Sequence, residues 1–106
     1  KTILNLIIMN IEELLSHIEK RPQMYFRERD VYFLETFLGG FFVSEYLKDK
    51  NFKNDFRSNF YEWLQNKFNL QDNSTWADFI DLISKKENLN SVDVFFREYH
   101  LFKRKQ

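Results

Sequence analysis

Apolar residues recur at intervals of three and four along almost the whole chain, and this spacing predicts α-helices throughout. The least polar run covers residues 30–47, where Asp30 is a favourable N-cap for a long aromatic helix. Because apolar side chains fall on nearly every side of this helix, the pattern predicts a central helix buried within the domain. Gly39 and Gly40 lie at its midpoint and predict a notch for the close approach of a neighbouring helix.

The second half of the chain predicts three more helices, each with an apolar stripe behind a polar start. The first covers residues 54–68, and the second begins at a capping box that starts at Thr75. The third is capped by Asn90 or Ser91 and runs into a basic tail, residues 103–106, which we expect to be frayed.

Aromatic residues make up 19% of the chain, and 13 of them are phenylalanines, which have no polar group to satisfy. This composition favours a core built largely from rings. Trp63 and Trp76 fall on the apolar stripes of their helices, so both are predicted to lie in the core rather than to stack on a ligand.

The N-terminal region has two interpretations. In the favoured one, a continuous helix covers residues 3–20 and carries an apolar stripe made of Leu4, Ile8, Ile11, Leu15 and Ile18. In the other, Asn10 caps a new helix in a box with Glu13, and residues 1–8 form an extension. The apolar run is too short to span a membrane, so no membrane contact is predicted. Its exposed side chains would instead favour a homodimer through residues 1–18.

A proline motif separates this first helix from the central one. Pro22 biases Arg21 away from helical backbone and therefore ends the helix. Met24, Tyr25 and Phe26 follow and are predicted to pack together against the central helix.

Length and turn content fit one small helical domain. The 106 residues suffice for a single core, and two glycines and one proline leave few turn signals for a β-sandwich or barrel. The sequence therefore predicts an all-α fold, residues 1–106, with four to five helices around the central aromatic helix.

Charge and cysteine content exclude several classes of function. Sixteen basic and sixteen acidic residues give no net charge, which argues against a nucleic-acid binder that works by bulk charge. The chain contains no cysteine, so it has no disulfide framework or thiol nucleophile, which is compatible with a cytoplasmic protein.

No pattern of residues indicates catalysis. His17 and His100 are the only histidines and belong to no metal-binding motif, and no serine lies in a nucleophile elbow. We therefore predict no catalytic residue, no metal site, no cofactor and no enzymatic activity.

The motif Arg21-Pro22-Gln23-Met24-Tyr25 resembles a motif of small bacterial immunity proteins that accompany secreted or contact-delivered toxins. The order of segments is also similar, and the matching pieces are residues 11–15, 21–25, 34–42, 60–68, 74–76 and 94–96. Gln23 stands where those proteins have a glycine. The resemblance implies a protein that binds one cognate toxin domain and neutralises it by forming a stoichiometric complex.

Local acidity suggests where such a toxin would bind. Residues 69–84 include Asp72, Asp78 and Asp81 but no basic residue, and Glu87 follows shortly after. Many such toxins are nucleases with basic active sites, which an acidic surface would complement. Asp78 and Asp81 are three residues apart and are predicted to share the outward side of their helix. The alternative function is a small helical adaptor or regulatory interaction domain.

Overall fold

Five α-helices form the part of the chain that the computed structural model describes, residues 10–71 and 74–105. They are α1 (Ile11–Lys20), α2 (Val31–Lys48), α3 (Asp55–Phe68), α4 (Trp76–Glu87) and α5 (Ser91–Arg104). A 3₁₀ turn, Pro22–Met24, lies between α1 and α2. No strand occurs in these described ranges, and the predicted all-α fold is confirmed. None of the described helices combines the length and apolar content needed to cross a membrane.

Each helix begins at a residue whose side chain accepts a hydrogen bond from a backbone N–H of the first turn. These caps are Asn10, Asp30, Asn54, Thr75 and Asn90. Such caps satisfy backbone donors that have no partner inside the helix. The sequence therefore determines where each helix starts.

The start of α1 decides between the two N-terminal interpretations. Asn10 has extended backbone (φ −84°, ψ 172°) and forms a reciprocal capping box with Glu13. The favoured continuous helix over residues 3–20 is therefore wrong, because Asn10 is extended and α1 begins at Ile11, and the capping interpretation is confirmed. The predicted extension, residues 1–8, lies outside the described residues.

The proline motif ends α1 as predicted. Arg21 has φ −144° and ψ 66°, and Pro22 starts the 3₁₀ turn. Tyr25 packs edge-on against the Phe37 ring with centroids 5.5 Å apart, and Phe26 is buried. The prediction for Met24 is wrong, because its side chain is 65% exposed.

Gln23 fits this turn without strain. Among the described residues, the left-handed backbone that favours glycine occurs only at Asn69 and Asn88, which cap the C-termini of α3 and α4. The turn therefore does not require the glycine found in the resembling proteins.

The core lies where α4 and α5 pack against each other and against α2 and α3. Helix α5 contributes most to it, with eight buried residues. Trp76 is 3% exposed and belongs to this core, as predicted. Trp63 is only half-buried and stacks on the Phe60 ring at 6.2 Å, so it lies at the edge of the core.

Helix α2 is buried on one side only. Its buried residues are Val31, Leu34, Leu38 and Phe42, whereas Tyr32, Phe33, Val43, Tyr46 and Leu47 are exposed. The prediction of a helix buried on nearly every side is therefore wrong. The predicted notch is also open: a Cβ added to Gly39 or Gly40 would meet nothing within 4 Å. The four buried residues of α2 are spaced by three and four positions and lie on one side of the helix, and the glycines lie away from it.

The basic segment at the C-terminus is helical rather than frayed. Helix α5 includes Lys103 and Arg104, and the Lys103 ammonium forms an ion pair with the Glu12 carboxylate of α1. The prediction of a frayed tail over residues 103–106 is therefore wrong for these two residues, and Gln106 lies outside the described residues.

Replacing Trp76 with alanine should lower the free energy of unfolding by about 3–5 kcal/mol, because the indole is fully enclosed. The same change at Trp63 should cost less, about 1–3 kcal/mol, because this ring is half-exposed. Chemical denaturation of both variants measures the two losses, with Met24→Ala as an exposed control. Equal losses at the two tryptophans would contradict the burial described above.

Candidate functional site

A groove of about 590 Å³ lies between the first turn of α2, the exposed side of α4 and the connection between α3 and α4, which contributes Asn69, Leu70, Gln71 and Ser74. We name it the Tyr32 groove, and the side chains that give it chemical character are Tyr32, Asp78, Asp81, Leu82 and Lys85. The four α4 residues are spaced by three, one and three, so they share one side of that helix. The predicted placement of Asp78 and Asp81 on a common outward side therefore agrees with the structure.

Tyr32 and Asp78 join the two helices. The Tyr32 hydroxyl donates a hydrogen bond of 2.6 Å to Asp78 Oδ1. The other carboxylate oxygen, Oδ2, accepts from the Thr75 backbone N–H at 3.1 Å and completes the capping box of α4. Asp78 is therefore a fixed carboxylate and not a freely solvated one.

These contacts shift the pKa values of both groups. The hydrogen bond from Tyr32, followed by that from the Thr75 backbone, lowers the pKa of Asp78 below its ordinary value of 3.8. Burial, followed by the Asp78 hydrogen bond, raises the pKa of Tyr32. At neutral pH the pair is thus a neutral phenol that donates to an ionised carboxylate.

The predicted acidic surface is smaller than the sequence suggested. Asp81 forms an ion pair with Lys85 at 2.9 Å, and this hydrogen bond raises the pKa of Lys85. Glu87 does not join the groove: it pairs with Arg97 of α5 at 2.6 Å, on another side of α4. Asp72 lies outside the described residues. Of the four predicted toxin-binding residues, the structure brings together Asp78 and Asp81.

An exposed apolar surface continues from the groove along α2. Tyr32, Phe33, Val43, Tyr46 and Leu47 are between 39% and 64% exposed. Apolar surface of this kind on one helix marks sites of protein contact more often than sites of chemistry. Apolar residues on nearly every side of α2 are visible in the sequence. The same residues fit a buried helix and a helix with an exposed apolar surface, and the sequence analysis predicts the first.

A buried carboxylate was missed by sequence analysis. Glu98 is 1% exposed and is held by Lys67 at 2.7 Å and by Arg97 at 2.8 Å. Glu98 lies three residues after Phe95 and four before Phe102, so it is on the apolar stripe of α5. This spacing is the feature of the sequence that indicates its burial. The two cations compensate the burial of its charge, so Glu98 links α3 and α5 and is not exposed to a substrate.

Other titratable groups of the described residues lie away from the groove. No group of three His, Cys, Asp or Glu side chains among the described residues is placed to hold a metal ion. His100 pairs with Glu19 at 2.9 Å. Burial raises the pKa of Tyr99 to about 12, and each of the other pKa shifts found also moves away from neutral pH.

Replacing Tyr32 with phenylalanine should raise the pKa of Asp78 towards 3.8, because its strongest stabilising hydrogen bond is lost. The contribution of this bond to stability is present above pH 3.8 and disappears as the pH falls through the lowered pKa of folded Asp78. The difference in unfolding free energy between the native protein and Tyr32→Phe should therefore shrink in that acidic range.

Carboxyl NMR titration and denaturation at several pH values test this expectation, with Tyr46→Phe as the matched control on the same helix. An unchanged Asp78 pKa in Tyr32→Phe would contradict the assigned hydrogen bond.

Comparison with known proteins leaves this surface as the main guide to function. The chain matches no protein-family model, and no match was found among curated proteins or solved structures.

Proposed function

We propose that this chain is an immunity protein that binds a cognate bacterial toxin domain in the cytoplasm and neutralises it as an equimolar complex. The observation that carries the proposal is the junction at Tyr32, where exposed aromatic surface of α2 meets the carboxylates of α4. The resemblance of residues 21–25 to the immunity-protein motif supports the class of partner.

The composition of this surface is that of a protein interface. Aromatic side chains are enriched at interface centres because they bury a large area with little loss of conformational entropy. Tyr32 is 39% exposed, Phe33 is 41% exposed, and Leu82 across the groove is 42% exposed. A partner that covers these three side chains would bury apolar surface on both sides of the Asp78 carboxylate.

The carboxylates favour a basic partner. Asp78 keeps its negative charge to low pH because its pKa is lowered, and two hydrogen bonds hold it in place. A fixed charge loses little conformational entropy when a cation of the partner approaches it. A nuclease with basic residues around its active site is therefore the toxin class that the groove fits best.

The class of function can be tested with the gene immediately upstream. Its C-terminal domain, expressed alone in a bacterial host, should arrest growth, and co-expression of this protein should restore it. The purified pair should elute as an equimolar complex in size-exclusion chromatography with light scattering. A harmless upstream domain, or a toxic domain that does not bind this protein, would contradict the proposal.

The surface can be tested with Asp78→Asn combined with Asp81→Asn. Each amide keeps the size of the carboxylate but has only one acceptor oxygen, so the Asp78→Asn side chain can accept from Tyr32 or from the Thr75 backbone N–H but not from both. Thermal unfolding of the variant therefore accompanies the binding assay and shows whether the fold is intact. The association rate with the toxin should fall by about two- to tenfold at low salt and depend less on salt concentration. A desolvated carboxylate would also raise the dissociation rate, with a loss of about 2–5 kcal/mol in binding.

The matched control is Asp55→Asn with Glu62→Gln, which removes two exposed charges from α3. If the control and the groove variant bind and protect cells equally, the groove is not the toxin-binding surface.

A further inference from the structure

The outward face of α2 is uncharged along four helical turns. We define this face by its residues: Tyr32, Phe33, Thr36, Gly39, Gly40, Val43, Tyr46 and Leu47. The two charged residues within this span, Glu35 and Glu45, are half-buried and lie on its flanks. At 1.5 Å per residue the face is roughly 24 Å long. Exposed apolar surface of this kind marks sites of protein contact.

The residues of this face are arranged symmetrically about its midpoint. Positions 39 and 40, 36 and 43, 33 and 46, and 32 and 47 are each equidistant from the peptide bond between the two glycines. A two-fold axis through this midpoint would place each position level with its counterpart on an antiparallel helix. Large side chains would then occupy both ends of the contact, and glycine would meet glycine at its centre.

The glycines leave room for a second helix. A Cβ at Gly39 or at Gly40 would meet nothing within 4 Å, so this part of the backbone is open to approach. Two helices that cross at residues without side chains can come closer than the usual 8–10 Å between axes. The helix accepts two costly glycines at the one place where such a contact would need them.

Charges at the two ends of the face are complementary. At the N-terminal end, Asp78 accepts a hydrogen bond from Tyr32. At the C-terminal end, the Lys50 ammonium lies 4.6 Å above the centre of the Tyr46 ring. Tyr32 and Tyr46 are fourteen residues apart, almost four full turns, so both charged groups flank the same side of the face. An antiparallel pairing brings Asp78 of one copy to the end of the face that carries Lys50 of the other, whereas a parallel pairing places each of these groups level with its own copy.

We propose that two copies of this chain associate through the outward faces of α2 as a symmetric antiparallel dimer that crosses at Gly39 and Gly40. This dimer does not depend on the proposed toxin function. It differs from the homodimer predicted through residues 1–18, because Leu14, Leu15 and Ile18 of α1 are buried inside the domain's own core. Residues 1–9 of that predicted interface lie outside the described residues.

The central test places a charge at the crossing point. Sedimentation or light scattering over a range of concentrations should show dimers for the full chain, and Gly40→Arg should be monomeric, because two arginines would face each other across the axis. The fold should survive, since a Cβ at this position meets nothing within 4 Å and glycine is replaced within a helix by a better helix former. Ser58→Arg on the exposed side of α3 is the matched control and should remain dimeric.

A charge-reversal pair tests the antiparallel direction. Lys50→Glu and Asp81→Lys should each weaken the dimer by about two- to fivefold, as expected for exposed ion pairs, and the double variant should regain affinity. Asp81 is used instead of Asp78 because Asp78 caps α4. Loss of affinity in the double variant beyond that of either single variant would exclude the antiparallel arrangement.

Three other outcomes would overturn the dimer. A dimer unaffected by Gly40→Arg would lie on another surface. A monomer that Gly40→Arg destabilises in thermal unfolding would mean that another segment of the chain covers the face. A monomer whose complex with the upstream-encoded toxin domain is abolished by Gly40→Arg would assign the face to the toxin.

Discussion

The ring of Phe60 in α3 is the contact on which the arrangement of the helices depends. It is fully buried, and its centroid lies 5.3–6.2 Å from those of five other rings: Phe56, Trp63, Trp76, Phe95 and Phe102. These rings belong to α3, α4 and α5, so one side chain determines how three helices meet. Aromatic pairs at such distances contribute beyond the area that they bury. Helix α2 then packs against α4 and α5, which leaves its other side exposed.

The start of α2 is held by a second set of contacts. The Val31 backbone N–H donates to the Ser91 hydroxyl at 2.9 Å, and the Asn90 side chain donates to the Arg29 carbonyl at 3.0 Å. The first turns of α2 and α5 are thereby fixed to each other, and Tyr32 is fixed to α4 through Asp78. The α2 and α4 sides of the Tyr32 groove are therefore held by contacts between helices, and its third side is the connection between α3 and α4. A surface held in this way loses little entropy when a partner binds it.

Local features of the fold could be predicted from the sequence. The helix starts follow from caps such as Asn10 and Thr75, because a cap and the N–H it accepts from are two or three residues apart. The helical spacing of the rings likewise predicted the core position of Trp76. At Asn10 two features of the sequence conflict. The apolar stripe predicts a helix that continues through this residue, whereas the capping box with Glu13 starts a helix there, and the structure follows the cap.

The candidate site could be predicted only in part, because its contacts join distant residues. Asp78 and Asp81 share a side of α4 by spacing alone, but the Tyr32–Asp78 hydrogen bond links residues 46 positions apart. The burial of Glu98 likewise depends on Lys67, which is 31 positions away. Apolar residues around α2 could not show whether the domain or another molecule covers the outward face, since both arrangements use the same pattern.

The two proposed interactions share Tyr32, and this has a thermodynamic consequence. Lys50 of a second copy would approach the same carboxylates that a basic toxin would bind, so one surface cannot hold both at once. The two partners would therefore compete, and each would lower the apparent affinity of the other according to its own concentration and affinity. The free protein would keep its apolar face covered as a dimer, and the toxin would release monomers as it binds. In the free protein, Asp78 would face Lys50 of a second copy and stabilise the dimer. In the complex, the same carboxylate would face a basic group of the toxin.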